Sequence, residues 1–185
     1  MRKTILISLV LLVLLCLCGC NNFTSSQNSN VNHVSQSVDD RTYTLDMYLG
    51  IGLGSTYKDV VAIIGSPGES SIDGDVIKQY LWRNKDGSNI SVTFSNGKAE
   101  AKTQANLGPF LKDKEKVTLK TFRKLKEGSS LTEVEKILGS GTETMRQIMD
   151  GKEQVTYTWR NSNGSAITIV FEDGKAADIN DLMLK

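Results

Sequence analysis

Tyr80-Leu81-Trp82-Arg83-Asn84 returns further along the chain as Tyr157-Thr158-Trp159-Arg160-Asn161, and these two pentads hold both tryptophans of the 185-residue sequence. Outward from them the match continues: Phe94-Ser95-Asn96-Gly97-Lys98-Ala99 aligns with Phe171-Glu172-Asp173-Gly174-Lys175-Ala176 at the same spacing of 77. Upstream, Gly54-Ser55-Thr56-Tyr57-Lys58-Asp59-Val60-Val61 aligns with Gly128-Ser129-Ser130-Leu131-Thr132-Glu133-Val134-Glu135 at a spacing of 74. Self-similarity at a fixed period with aromatic and glycine positions in register reads as a tandem duplication. The expected units are 43–106 and 117–185, joined by a connector at 107–116 that contains Gly108-Pro109 and the charged run from Lys112 to Lys116.

Each unit opens on a pair of short helices. Thr56 and Ser130 precede Asp59 and Glu133 by three residues, the capping-box spacing that satisfies free amide donors and places an anion at the positive helix end. Tyr57, Val60, Val61 and Ile64 then fall on one helix face, as do Leu131, Val134, Ile137 and Leu138; Gly65 and Gly139 stop the helices.

Glycine turns punctuate the rest: Asp73-Gly74 and Asp150-Gly151, Lys85-Asp86-Gly87 and Ser162-Asn163-Gly164, Asn96-Gly97 and Asp173-Gly174. Three such turns per unit predict four antiparallel strands, so the fold class is α+β: two tandem repeats, each a short helix pair followed by a four-stranded antiparallel sheet. A three-residue loop ending at Gly87 pairs Trp82 with Ile90 and Tyr80 with Val92. The same register in the second unit pairs Trp159 with Ile167, Tyr157 with Ile169 and Val155 with Phe171, so each sheet gains one apolar face, turned to the helices. On the opposite face of the first unit the expectation places Gln79, Arg83, Ser91, Thr93, Glu100 and Lys102, a solvated pattern. In the second unit Val170, Ala177 and Ile179 join Thr156, Thr158, Arg160 and Thr168 there. Arg83, Arg160, Val170, Ala177 and Ile179 are therefore the candidate partner-binding residues.

At the N-terminus Arg2 and Lys3 precede an apolar run from Ile5 to Leu17, a signal segment too short to stay in a bilayer as a spanning helix. Leu17-Cys18-Gly19-Cys20 resembles the bacterial lipobox, whose cysteine receives diacylglycerol. The reading is a lipoprotein signal peptide over 1–19, lipidation at Cys20, and a disordered tether over 20–42, whose Asn-Ser-Gln composition cannot bury enough apolar area to order itself. Such a tether spans roughly 25 Å. The expected location is the extracytoplasmic face of the cell membrane, held by the lipid anchor.

Chemistry is bounded mainly by what the folded part lacks. Cys16, Cys18 and Cys20 all lie at the end of the signal segment and the one histidine, His33, lies in the tether. That removes disulfides and nearly all triad or thiol catalysis from 43–185. Asp73, Asp75, Asp150, Glu172 and Asp173 stand beside turn glycines, where Asp serves the backbone geometry. Asp73-Gly74-Asp75 lacks the ligand ladder of a calcium loop, and Gly50-Ile51-Gly52-Leu53-Gly54 lacks the spacing of a nucleotide loop. No catalytic residue, metal or cofactor is expected. Without Arg2 and Lys3 the 22 basic side chains become 20 against 21 acidic ones, which disfavours a nucleic-acid partner.

Two helices followed by four antiparallel strands, doubled behind a lipobox, resembles the β-lactamase-inhibitory-protein-like architecture. Small outer-membrane assembly lipoproteins (SmpA/OmlA) and lipoproteins of Gram-positive bacteria look similar. The resemblance covers roughly 43–185, and its most specific element is Gly-Ser-Thr/Ser followed by the capped helix and its glycine stop. In the inhibitors the sheets form a concave surface that grips a protein with aromatic side chains. The resemblance therefore implies a protein-binding role; with the missing catalytic residues and the lipid anchor, the expectation is a non-enzymatic, monomeric module that binds an envelope protein, with an envelope-assembly factor and a carboxylate-dependent enzyme as the competing readings.

Overall fold

The computed structural model describes residues 41–112 and 116–185. The signal segment, Cys20 and nearly all of the tether fall outside the described residues.

Helices α1 (Leu45–Gly50) and α2 (Tyr57–Ile64) lead into strands β1 (Glu69–Asp73), β2 (Ile77–Arg83), β3 (Asn89–Ser95) and β4 (Lys98–Ala105). Helices α3 (Leu119–Phe122) and α4 (Leu131–Leu138) then lead into β5 (Thr142–Met149), β6 (Lys152–Arg160), β7 (Ala166–Glu172) and β8 (Lys175–Leu182). The expected capping boxes are present: Thr56 and Ser130 accept from the backbone of Asp59 and Glu133, whose carboxylates bond back. Val60 and Ile64, and likewise Val134 and Leu138, are buried. Ile137 falls on the flank of that stripe and is exposed.

The expectation of two four-stranded sheets is corrected. All strands join one eight-stranded antiparallel sheet in the order β1 to β8. The join is the β4–β5 pairing, which sets Ala101 opposite Gln147, Lys102 opposite Arg146 and Thr103 opposite Met145. Two four-stranded sheets would each leave another edge of unpaired backbone amides and carbonyls, and pairing those edges satisfies both.

The hairpin registers are as expected: Trp82 pairs with Ile90, Tyr80 with Val92, Trp159 with Ile167, Tyr157 with Ile169 and Val155 with Phe171. Both tryptophans point to the helix side and are buried. Their indole N–H groups donate to the carbonyls of Ser66 (2.9 Å) and Gly139 (2.8 Å), so the large apolar rings are buried without an orphaned donor. Each ring also requires a glycine beside it. A Cβ at Gly68 or at Gly141 would lie 2.6 Å from the Cε2 atom of Trp82 or Trp159. Two apolar clusters result, one around Tyr48, Trp82, Ile90 and Phe94, the other around Val134, Trp159, Ile167 and Phe171.

Two β-bulges redirect the last strand of each half. The β3–β4 register shifts after Phe94–Ala99, leaving Glu100 without a cross-strand partner, and the β7–β8 register shifts after Phe171–Ala176, leaving Ala177 without one. An extra residue reverses the facing of everything beyond it. Lys102, expected on the solvated face, is instead buried on the helix side at 2% exposure. Ile179, expected on the outer face, pairs with Ile169 and packs against the second apolar cluster.

Candidate partner-binding face

All four helices and both apolar clusters lie on one side of the sheet. The other side carries the alternate residues of each strand: Gln79 and Leu81 on β2, Ser91 and Thr93 on β3, Ala101 and Thr103 on β4, Met145 and Gln147 on β5, Gln154, Thr156 and Thr158 on β6, Thr168 and Val170 on β7. These side chains are half-buried by one another. Their polar ends form cross-strand rows: Thr158 Oγ1 lies 3.3 Å from Thr144 Oγ1 and 3.3 Å from Thr168 Oγ1, Gln79 donates to Thr93 (3.0 Å), and Gln147 to Gln154 (3.0 Å). Larger apolar groups stand at the sheet's two margins, Ile72 and Ile77 at one and Leu182 at the other, all exposed. Tyr80, Trp82, Phe94, Tyr157, Trp159 and Phe171 all belong to the clusters on the helix side.

Arg160 closes this face at one end of β6. Its guanidinium carbon lies 4.3 Å from the ring centroid of Phe110, and Nη1 donates to the Asn106 side-chain carbonyl. The connector holds Phe110 in place because the Leu111 amide donates to the Arg160 carbonyl (2.7 Å). Gly108 allows the chain to pass: a Cβ there would stand 2.4 Å from Thr142 Cγ2. Between connector and strands a cleft of about 240 Å³ opens, lined by Ala105, Asn106, Gly108, Thr142, Thr144, Thr158 and Arg160 among others.

Arg160 and Val170 therefore share the outer face on neighbouring strands. Arg83 occupies the same face four strands away, opposite Asn89. Ala177 sits exposed at its bulge near the β8 margin, and Ile179 lies on the helix side.

A charged cluster invisible to the sequence reading lies under the face, where the halves join. Lys102 Nζ stands 3.4 Å from Glu143 Oε1, donates to the Tyr48 carbonyl (3.0 Å) and lies 4.4 Å from the Tyr48 ring centroid. Arg146 reaches both Glu143 oxygens, at 3.2 and 2.7 Å, and also engages Glu153. Gln104 donates to the Glu143 carbonyl (3.0 Å). Burial alone would raise the Glu143 carboxyl, but the Arg146 hydrogen bond and the Lys102 and Arg146 charges outweigh it and hold its pKa below the ordinary value. Burial lowers Lys102 despite Glu143, and burial followed by the Glu143 charge raises Tyr48.

Among the described residues no three His, Cys, Asp or Glu side chains converge as metal ligands. No described helix is long and apolar enough to cross a membrane.

The sheet is covered by helices on one side only, and its other side, a mixture of threonine, serine, glutamine and apolar side chains, is left facing solvent. The model of the beta-lactamase inhibitor (BLIP) family matches residues 44–159 and, separately, 118–178, and the chain belongs to this family. A putative beta-lactamase inhibitor protein from Streptococcus mutans has the same fold, with 21% sequence identity and a TM-score of 0.55 over 77% of this chain and 91% of that one. Among curated proteins none matches. Membership of an inhibitor family points to a non-enzymatic binding module.

Proposed function

We propose that the chain is a lipid-anchored, extracytoplasmic module, acylated at Cys20, which offers the outer face of its sheet to another protein of the cell envelope. The observation that carries this reading is one-sidedness: helices, tryptophans and apolar clusters all lie on one face of eight paired strands. Seven inter-strand gaps of about 4.8 Å and strands of about seven residues give the open face roughly 34 by 23 Å, or about 800 Å². That is about what one partner contributes to a standard protein interface. An inhibitory role, by analogy with the family's name, is one form this binding takes.

The module is also proposed to be a duplicated unit fused through β4 and β5. The helix-helix-four-strand order occurring twice supports this, as does the second family match at 118–178. Asn84 and Asn161 support it too, since each brackets a backbone segment of its own half in the same way.

The test is site-specific photo-crosslinking in intact cells. A photoreactive side chain at Thr156, in the middle of the outer face, is expected to trap a discrete envelope protein. The same group at Lys136 on α4 is expected to trap none, and Cys20→Ser is expected to release the chain from the membrane fraction. Equal trapping from both positions, or trapping from Lys136 alone, would falsify the assignment of the outer face.

A further inference from the structure

The cleft beside Arg160 is assembled from two sources, and its chemistry is one-signed. The strand side supplies the Thr142, Thr144 and Thr158 hydroxyls and the Arg160 guanidinium, the connector side supplies Gly108 and Pro109, and no carboxylate lines it. Among the described residues Arg160 has no acidic partner, in contrast to Arg146, which bonds to Glu143 and Glu153. The guanidinium is nevertheless fixed: the Phe110 ring covers one face, and Asn106 holds Nη1. That leaves the Nε–H, both Nη2 hydrogens and the second Nη1 hydrogen as donors. Stacking on a ring and hydrogen bonding through one nitrogen pre-orients the fork, so little rotamer freedom remains to be lost when an acceptor arrives. The threonine hydroxyls stand beside it and can rotate to donate toward the cleft.

We propose that this cleft receives the carboxylate of an aspartate or glutamate side chain on the protein that docks against the outer face. The inference rests on the outer-face reading and specifies where on that face, and by what chemistry, the partner is recognised. A planar carboxylate fits one guanidinium fork edge to edge, whereas a phosphate dianion paired with a single cation stays under-neutralised. A cleft of about 240 Å³ has room for one acidic side chain.

The experiment uses the full chain in detergent micelles, isotope-labelled, titrated with N-acetylglutamate α-amide, with its neutral glutamine counterpart, and with inorganic phosphate. The expected result is saturable shifts confined to the Thr144 and Thr158 amides and the Arg160 side-chain Nε–H. The glutamine probe should bind at least about tenfold more weakly, because the charge-assisted fork contact is lost. Arg160→Gln should abolish the response, and Arg160→Lys, which keeps the charge but not the fork, should weaken it by about tenfold. Tryptophan fluorescence reports whether each variant is folded, and Thr158→Val, on the same strand wall as Arg160, provides a second route to the same loss. Equal binding of the glutamine probe, or tighter binding of phosphate, overturns the inference. The Thr156 crosslink separates the two readings. If it disappears in Arg160→Gln, the cleft is a recognition point; if it persists unchanged, the cleft inference falls while the outer face stands.

Discussion

Lys102 and Glu143 come from opposite halves of the chain and meet 3.4 Å apart with side chains only 3% and 5% exposed. Neither charge is left to itself, since Lys102 also bonds to the Tyr48 carbonyl and Glu143 to Arg146. Buried pairs of this kind add little relative to apolar packing, but removing one partner strands the other. Glu143→Ala leaves the Lys102 ammonium buried without an anion and is expected to cost about 3–5 kcal/mol in urea unfolding. A loss below about 1 kcal/mol would place the pair with ordinary surface ion pairs and deny it the role of clamp between β4 and β5.

Acid should act on the same clamp. The folded pKa of Glu143 lies below its ordinary value of 4.5, so the unfolded chain takes up a proton first as pH falls. Its stabilising contribution is therefore complete above about pH 5 to 6 and is lost as pH drops through 4.5 toward the folded value. Asp59, Glu133 and Glu172 shift in the same direction, but Asp59 and Glu133 are solvent-exposed and Glu172 is half-exposed, and screening reduces their share. The urea midpoint is expected to stay level from pH 7 to about 5.5 and then fall, and Glu143→Gln should flatten the fall. An unchanged acid slope in that variant would assign the effect to the surface carboxylates.

Gly141, which faces the Trp159 indole, and Gly87, which faces open space at a positive φ, separate steric from conformational cost. Gly141→Ala places a Cβ 2.6 Å from Trp159 Cε2 and Cζ2 and is expected to destabilise by about 2 kcal/mol or more, through displacement of a packed ring. Gly87→Ala meets nothing within 4 Å but must adopt a φ of +87°, and about 1 kcal/mol is expected. Denaturant titrations followed by tryptophan fluorescence compare them, and equal losses would mean that the Trp159 pocket yields easily.

What was readable from the residues follows the distance over which each feature is determined. Trp82–Ile90 and Trp159–Ile167 follow from loop length and period-two alternation, both local. The bulges at Glu100 and Ala177 carry no local mark, because nothing in Thr-Phe or Val-Phe announces an extra residue on the partner strand. Lys102 and Ile179 were consequently assigned to the wrong face. The β4–β5 pairing was invisible for a different reason: it is a non-local choice between leaving two edges open and closing them, and a helix pair intervenes. Arg160 was legible as the fourth residue of a repeated pentad, at the end of a strand. Its setting was not, since Asn106 closes the first unit and Phe110 lies in a stretch read only as a connector.

Asn84 and Asn161 stood in that pentad without an assigned role, and the structure supplies one. The Asn161 side chain accepts from the Val117 amide (3.0 Å) and donates to the Val117 carbonyl (2.9 Å) and to Ser165 Oγ (2.8 Å). Asn84 does the same for Tyr43 and Ser88, so each holds the chain entering its helix pair. Asn161→Asp replaces the donor with a carboxylate facing a carbonyl at a site only 1% exposed, and a loss of about 3 kcal/mol is expected. The half-exposed Asn84 site should lose less under Asn84→Asp. Equal losses in chemical denaturation would show that the two brackets are not ranked by burial.

The manner of binding should differ from the aromatic grip that the inhibitor resemblance implied. Anchor residues in protein interfaces are enriched in tryptophan and tyrosine, because large rings fill desolvated pockets at low entropic cost. Here Trp82, Trp159, Tyr80 and Tyr157 pack with the clusters on the helix side, and among the described aromatic residues only Phe110 is exposed, with its ring engaged by Arg160. The outer face instead offers threonine and glutamine rows, with Arg160 at one end, which favour a polar partner surface carrying acid groups. Purified full chain assayed against serine β-lactamases is accordingly expected to give half-inhibition only above about 1 µM, the range of complexes without strong aromatic anchors. Nanomolar inhibition that survives Phe110→Ala would show that the threonine face alone supplies a tight interface. If that inhibition disappeared on Arg160→Gln as well, the enzyme itself would be identified as the bearer of the carboxylate.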